Sequence, residues 1–184
     1  MMRRLRGFTL AELMVVLAIA GILLAAGVPS LQGMIARFRL RTTAGELFSA
    51  IDLTRSQAIA RGVRVIMMPA DPLHADWTRG WVVFVDKNTS LSLDAGDELI
   101  FQQGPLKAGL AVSSAFSSPH PPYYVAYNGA GRSCSASNSM ASRPGTLSLA
   151  MGQGTRHIKI NMLGRVRICD PQLQPKTCSG PGAD

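Results

Sequence analysis

The chain has 184 residues and a formal net charge of +8, from 19 Lys and Arg against 11 Asp and Glu. That length fits one domain plus a helical anchor and speaks against a multidomain architecture. Cysteine occurs three times, at Cys134, Cys169 and Cys178, and an odd number excludes complete pairing within one chain.

The first predicted element starts with a short basic head, Arg3, Arg4 and Arg6, that meets Gly7. An apolar run of 21 residues follows, 8–28, whose only polar side chains are Thr9 and Glu12. As a helix it is about 32 Å long, enough to span a bilayer core. A carboxylate facing lipid costs about 2.5–3.5 kcal/mol, so Glu12 calls for a partner. A cleaved secretory signal has a shorter run with a small-residue cleavage site after it, whereas Gly7 lies before the run. An ordinary signal anchor explains the head and the span but not Glu12. Basic residues ahead of the span keep that end cytoplasmic and place Leu31 onward outside the inner membrane. Disulfides persist in that compartment.

The arrangement Gly7-Phe8-Thr9-Leu10-Ala11-Glu12-Leu13-Met14, with Pro29 near the end of the span, resembles the class III signal of type IV pilins and type II secretion pseudopilins. The resemblance implies that a prepilin peptidase cuts between Gly7 and Phe8. It implies that the new Phe8 amine is N-methylated and that Glu12 neutralises the amino terminus of a neighbouring subunit. It also implies that the helix holds the protein in the inner membrane until assembly. Ala11 departs from the branched apolar residue more common there. Loss of the leader, 1–7, would leave a net charge near +5.

Apolar residues continue at helical spacing through Leu31, Met34, Ile35, Phe38, Leu40, Ala44, Leu47, Phe48, Ile51, Ala58 and Ile59. The helix is therefore predicted to run on as an amphipathic half over 30–61, with Gly62 as its stop. Pro29 should kink it or melt a turn. Beyond Gly62 the period changes to that of strands: 63–68, 80–86, 99–103, 110–114, 123–127, 146–151, 158–162 and 166–169. The stretches 113–122 and 129–145 read as long loops, and the tail 179–184 as disordered. Asp86, Asn88, Asp94, Asp97 and Glu98 invite a calcium reading. The loop lacks the glycine at the sixth position and the glutamate at the twelfth that an EF-hand needs, so a solvated acidic turn is expected.

Catalytic and cofactor signatures are absent. His74, His120 and His157 sit in separate segments, and no nucleophile elbow, phosphate loop or zinc-ligand spacing occurs. No metal or cofactor is expected. Cys169 and Cys178 bracket a short polar loop with two prolines. Closing it would be worth about 2–3 kcal/mol and would tie down the C-terminus, leaving Cys134 over. The alternatives are three reduced thiols or a bond that Cys134 takes from one of the other two.

The last predicted element is a basic hairpin over 156–169. Ile158 and Ile160 alternate with His157, Lys159 and Asn161, as Val166 and Ile168 do with Arg165 and Arg167. A two-residue turn would mix the faces. A three-residue loop, Met162-Leu163-Gly164, sets Lys159 opposite Arg167 and Asn161 opposite Arg165. Lys159, Arg165 and Arg167 then share one exposed basic face. Residues 130–184 hold seven Lys and Arg but two Asp, so the excess is local. Arginines two apart on a strand can clamp successive phosphates. A solvated face, or salt bridges to neighbouring subunits, is the plainer alternative.

Three further segments, 53–62, 77–88 and 164–169, resemble the GspH/FimT branch of the pilin superfamily. Gly164-Arg165-Val166-Arg167 is similar to the C-terminal Gly-Arg-x-Arg motif of FimT-type minor pilins, where it is implicated in DNA binding during natural transformation. FimU-type minor pilins, which prime pilus assembly, carry similar C-terminal strands. The expected fold is therefore α+β. The leader, 1–7, precedes a transmembrane half-helix, 8–29, and an amphipathic half, 30–61. A β-rich periplasmic domain over 62–178 packs on that helix. The expected partners are other pilins or pseudopilins, the prepilin peptidase, the inner membrane and DNA. The alternatives are a GspH-type pseudopilin of type II secretion and a membrane-anchored periplasmic enzyme.

Overall fold

The computed structural model describes residues 9–118 and 120–178, apart from the side chains of 26–30. The expected leader, the Gly7–Phe8 cleavage position and the expected disordered tail lie outside the described residues. The first element, α1, is a helix over Leu10–Arg61. Its start is a capping box: the Thr9 hydroxyl accepts from the Glu12 N–H at 3.2 Å, and the Glu12 carboxylate accepts from the Thr9 N–H at 2.9 Å. Glu12 is thus not an isolated carboxylate within its own chain. The Thr-x-x-Glu signature that marks it was present in the sequence. At the other end Gly62 adopts φ 65°, and its N–H donates to the Ile59 carbonyl. The helix is continuous across Pro29, so the expected melted turn is corrected. A proline removes one bond from a ladder this long, and the flanking turns hold it.

Among the described residues no helix is long and apolar enough to cross a membrane. The span expected over 8–29 includes Phe8 and the side chains of 26–29, which fall outside that description. The described apolar side chains from Leu10 to Leu24 are mostly exposed, as are Leu31, Met34 and Phe38. From Leu40 the helix turns one face inward: Leu40, Thr43, Ala44, Leu47, Ile51, Thr54 and Ala58 are buried at spacings of three and four. The buried Thr54 hydroxyl is satisfied by the Ala50 carbonyl at 2.7 Å.

Among the described residues eight strands follow: β1 Val65–Pro69, β2 Trp81–Val85, β3 Glu98–Gln103, β4 Ala111–Phe116, β5 Val125–Tyr127, β6 Gly145–Met151, β7 Gly154–Ile160 and β8 Val166–Cys169. They form two antiparallel sheets, ordered β3-β2-β1-β5 and β4-β6-β7-β8. The packed half of α1 touches strands of both. Leu47 and Ile51 meet Met67, Val83 and Tyr127 of the first sheet and Leu147, Leu149, Ile158 and Ile160 of the second in one core. The α+β fold is a long helix laid across two sheets. Most strand boundaries shift from the sequence reading, two of them as follows. β7 begins four residues earlier, at Gly154, because Thr155 and Arg156 pair with Ala150 and Leu149. β4 runs on to Phe116, whose ring is buried, into a stretch expected as loop.

The other face of the first sheet is also covered. Ile66, Met68 and Phe84 pack with Cys134 and Ala136 from the connection between β5 and β6. Cys134 is unpaired, fully buried, and its thiol is pushed up by that burial. In the folded protein it should react with a maleimide about 1000-fold more slowly than an exposed thiol, because exposure requires opening that costs several kcal/mol. Thiol titration with and without denaturant checks this. One fast-reacting thiol in the native, disulfide-intact protein would contradict it.

Candidate functional site

The β7–β8 hairpin pairs Lys159 with Arg167, Ile158 with Ile168 and Ile160 with Val166. The Asn161 N–H donates to the Arg165 carbonyl and the Gly164 N–H to the Asn161 carbonyl, both at 3.0 Å. The loop is therefore Met162, Leu163 and Gly164, with Gly164 at φ 83°. The side-chain oxygen of Asn161 also accepts from the Arg165 N–H at 2.9 Å. Gly164 is buried against Gly131 and Tyr127, and the Tyr127 hydroxyl donates to its carbonyl at 3.1 Å. Burial pushes the Tyr127 phenol up, so it stays a neutral donor. Gly131 is in turn bonded to α1, through Arg55 Nε to its carbonyl at 3.0 Å. A long-range contact with no sequence signature thus fixes the hairpin tip.

Ile158 and Ile160 face the core, at 0% and 1% exposure. His157, Lys159, Arg165 and Arg167 take the other face, but they do not share it equally. Arg165 is exposed and Arg167 half-buried. Lys159 is 4% exposed, which corrects the expected open stripe of three cations. Beyond β8 the chain turns back. Asp170 pairs with Arg156, and its carbonyl accepts from the Gln174 N–H at 2.8 Å. A helical turn, α2 Pro175–Cys178, then stands where a loop was expected. It is joined to the hairpin by a disulfide between Cys169 and Cys178 and by Arg167 Nη2, which donates to the Thr177 carbonyl at 2.6 Å.

Cys178 lines one trough of about 650 Å³ together with His157, Lys159, Thr146, Ser148 and Ala115 on the outer face of the second sheet. Burial, and after it the adjacent Arg167, lowers the Lys159 pKa. Burial, then Lys159, lowers that of His157, with Asp170 opposing. Both groups are held in a positive, partly dehydrated setting.

Two other charge groupings resolve differently. Arg143, counted in the local basic excess, is 9% exposed; its guanidinium lies 4.0 Å from the Tyr124 ring centre and 5.4 Å from that of Phe116. It is a packing residue whose pKa burial lowers, and it adds nothing to the accessible basic surface. The acidic turn is closed on its own backbone. Asp86 accepts from the Ser90 and Leu91 N–H groups, Asp97 from Lys87 and Asp94 from Gly96. Among the described residues no group of three His, Cys, Asp or Glu is placed to hold a metal.

The family model described as type II transport protein GspH matches residues 43–164, and the prokaryotic N-terminal methylation motif matches residues 2–28. No curated protein matches the chain. Solved structures are similar too, among them the following two. The type IV minor pilin FimU of Pseudomonas aeruginosa is 17% identical, with a TM-score of 0.57, over 74% of this chain and 92% of that one. The minor pseudopilin EpsH from the type 2 secretion system of Vibrio cholerae is 16% identical, with a TM-score of 0.51, over 72% of this chain and 98% of that one. At these identities the likeness is one of fold.

Proposed function

This chain belongs to the GspH family, and from that premise we propose that it is a minor type IV pilin that takes part in pilus assembly and binds DNA through its C-terminal hairpin. Its family consists of membrane-anchored structural components of pili or pseudopili, and the N-terminal methylation motif marks it as one. Other pilins are its partners in the filament. A prepilin peptidase would process it between Gly7 and Phe8 and leave the helix in the inner membrane. Intact mass should then show loss of 1–7 and gain of one methyl group. Retention of the leader would sink the pilin assignment.

The observation that carries the DNA reading is the placement of Arg165 and Arg167. They lie two residues apart on a hairpin whose tip is fixed by Gly164, with Arg165 exposed. Arg167 spends one donor on Thr177 and keeps others for a phosphate. Such contacts position a duplex without reading its bases, so little sequence preference is expected.

The test is DNA binding by the protein in detergent across a salt series. Arg165→Gln with Arg167→Gln should lower affinity and flatten the log–log salt slope by up to about two units, from about −0.9 per phosphate contact. Folding should change by less than about 0.5 kcal/mol for the exposed position. Lys159→Gln should do less, because Lys159 is far less exposed than Arg165. A double variant that binds like the parent, with the same slope, removes the site. The family's type II description supports a second reading, a GspH-type pseudopilin of protein secretion. It expects no DNA binding worth measuring at physiological salt.

A further inference from the structure

The long helix carries a second concentration of charge, away from the hairpin. No Asp, Glu, Lys or Arg lies between Glu12 and Arg37. Arg37, Arg39 and Arg41 then follow at alternate positions, and the next acid is Glu46. All three arginines are exposed, and Phe38 between them is 70% exposed. The ion pairs among the described residues are Arg61–Glu98 and Arg156–Asp170, so neither uses them. Arg37 and Arg41 lie one turn apart on one face, where like charges repel, and Arg39 lies about 200° round the axis from Arg37. Lys107, in the connection between β3 and β4, lines the same hollow as Phe38 and Arg39. The cations thus surround the helix where it enters the globular domain, whose cover begins at Leu40.

Their height matters as much as their sign. The helix is continuous from Leu10. At 1.5 Å per residue, Arg37 to Arg41 stand about 40–46 Å from that end. A bilayer with its headgroups is about 40–45 Å thick. Leu31, Met34 and Ile35, just before the cations, are apolar and exposed. A helix that begins at one membrane surface therefore brings these cations to the other.

We propose that Arg37, Arg39 and Arg41, with Lys107 and Phe38, form a collar that binds anionic phospholipid headgroups where the helix leaves the membrane. The proposal rests on the reading that α1 spans the inner membrane before assembly. The guanidinium groups donate to lipid phosphates, and the Phe38 ring takes the boundary between headgroups and acyl chains. A headgroup layer meets every side of the helix, as the cations do, whereas a neighbouring subunit meets one side. That distribution favours lipid over an acidic protein face. The collar sets the height of the subunit and rests the domain on the membrane surface until a filament takes it up.

The test uses full-length protein carrying Phe38→Trp, reconstituted in vesicles of phosphatidylcholine mixed with phosphatidylglycerol. The introduced indole reports on the collar, while Trp77 and Trp81, each 1% exposed, give a constant background. Either lipid is brominated on its acyl chains in turn, and the quenching by each gives their relative association at the collar. Flotation of the vesicles reports insertion separately, and near-ultraviolet circular dichroism reports the fold.

Phosphatidylglycerol should be favoured over phosphatidylcholine by roughly fivefold or more at low salt, as expected for cations at an anionic surface. The preference should fade at high salt. Arg37→Gln with Arg39→Gln and Arg41→Gln should abolish it, while flotation and quenching by brominated phosphatidylcholine persist. Equal association of both lipids in protein that floats overturns the collar and leaves the span standing. A preference that survives the triple substitution overturns the assignment to these arginines. Failure to float overturns the span and the collar together. Equal association, with the triple variant lost from sheared filaments, overturns the lipid reading and assigns the arginines to an acidic face of a neighbouring subunit.

Discussion

Gly164→Ala should destabilise the folded domain by about 3 kcal/mol or more, the largest effect of any single methyl group in the hairpin. A Cβ there would stand 2.5 Å from the Gly131 carbonyl oxygen and 2.7 Å from a Tyr127 ring carbon. Two of the crowded neighbours, Gly131 O and Ser133 N, are backbone atoms, so no rotamer change relieves the clash. The residue also sits at φ 83°, a region that costs an alanine about 1–3 kcal/mol. Displacing the tip would in addition leave the buried Tyr127 hydroxyl without its acceptor. Urea unfolding of the disulfide-intact protein measures the change. Tyr127→Phe serves as the reference, with an expected loss of about 1 kcal/mol. A Gly164→Ala loss below about 1 kcal/mol would show that the tip yields, and that its rigidity is not what presents Arg165.

The second large effect is expected at Glu12, where two roles can be separated. Within its own chain the carboxylate caps α1 by accepting from the Thr9 N–H and hydroxyl. In a filament, the proposed role is to neutralise the methylated Phe8 amine of a neighbour. Glutamine can accept the same capping bonds but carries no charge. Glu12→Gln should therefore leave the helix start intact and membrane insertion equal or improved. It should nevertheless reduce incorporation into filaments by about 100-fold, since breaking a buried ion pair costs about 3–5 kcal/mol. Sheared filaments, blotted for this protein, give the number. Normal incorporation of the Gln variant with a defect in Glu12→Ala would assign the residue to capping alone.

The hairpin was legible in the sequence because three constraints coincide there. Alternation of Ile158 and Ile160 with polar residues fixes the faces, Val166 and Ile168 repeat the pattern, and Gly164 admits the positive φ of the loop. The period of apolar residues from Leu40 to Ala58 likewise marked the packed side of α1. The burial of Lys159 was not legible. Period two states which face a residue takes but not what lies over that face. Arg143 misled for the same reason: its partners Phe116 and Tyr124 are aromatic and distant in sequence. The cap at Thr9 and Glu12 is legible as a Thr-x-x-Glu spacing, independent of the apolar run around it.

The course of β7 along α1 has a mechanical consequence. Gly154, at the start of the strand, lies against Leu40, while the loop at the other end of the hairpin meets Gly131, which lies against Ile59. Strand and helix thus run side by side for the length of the packed half. Tension applied to the exposed half of α1 reaches the globular domain through side chains wedged against both sheets. The load is spread along this seam as shear over many contacts, rather than concentrated on one end as peeling. Neither sheet carries it alone, and the domain resists a pull along the helix better than a pull across it.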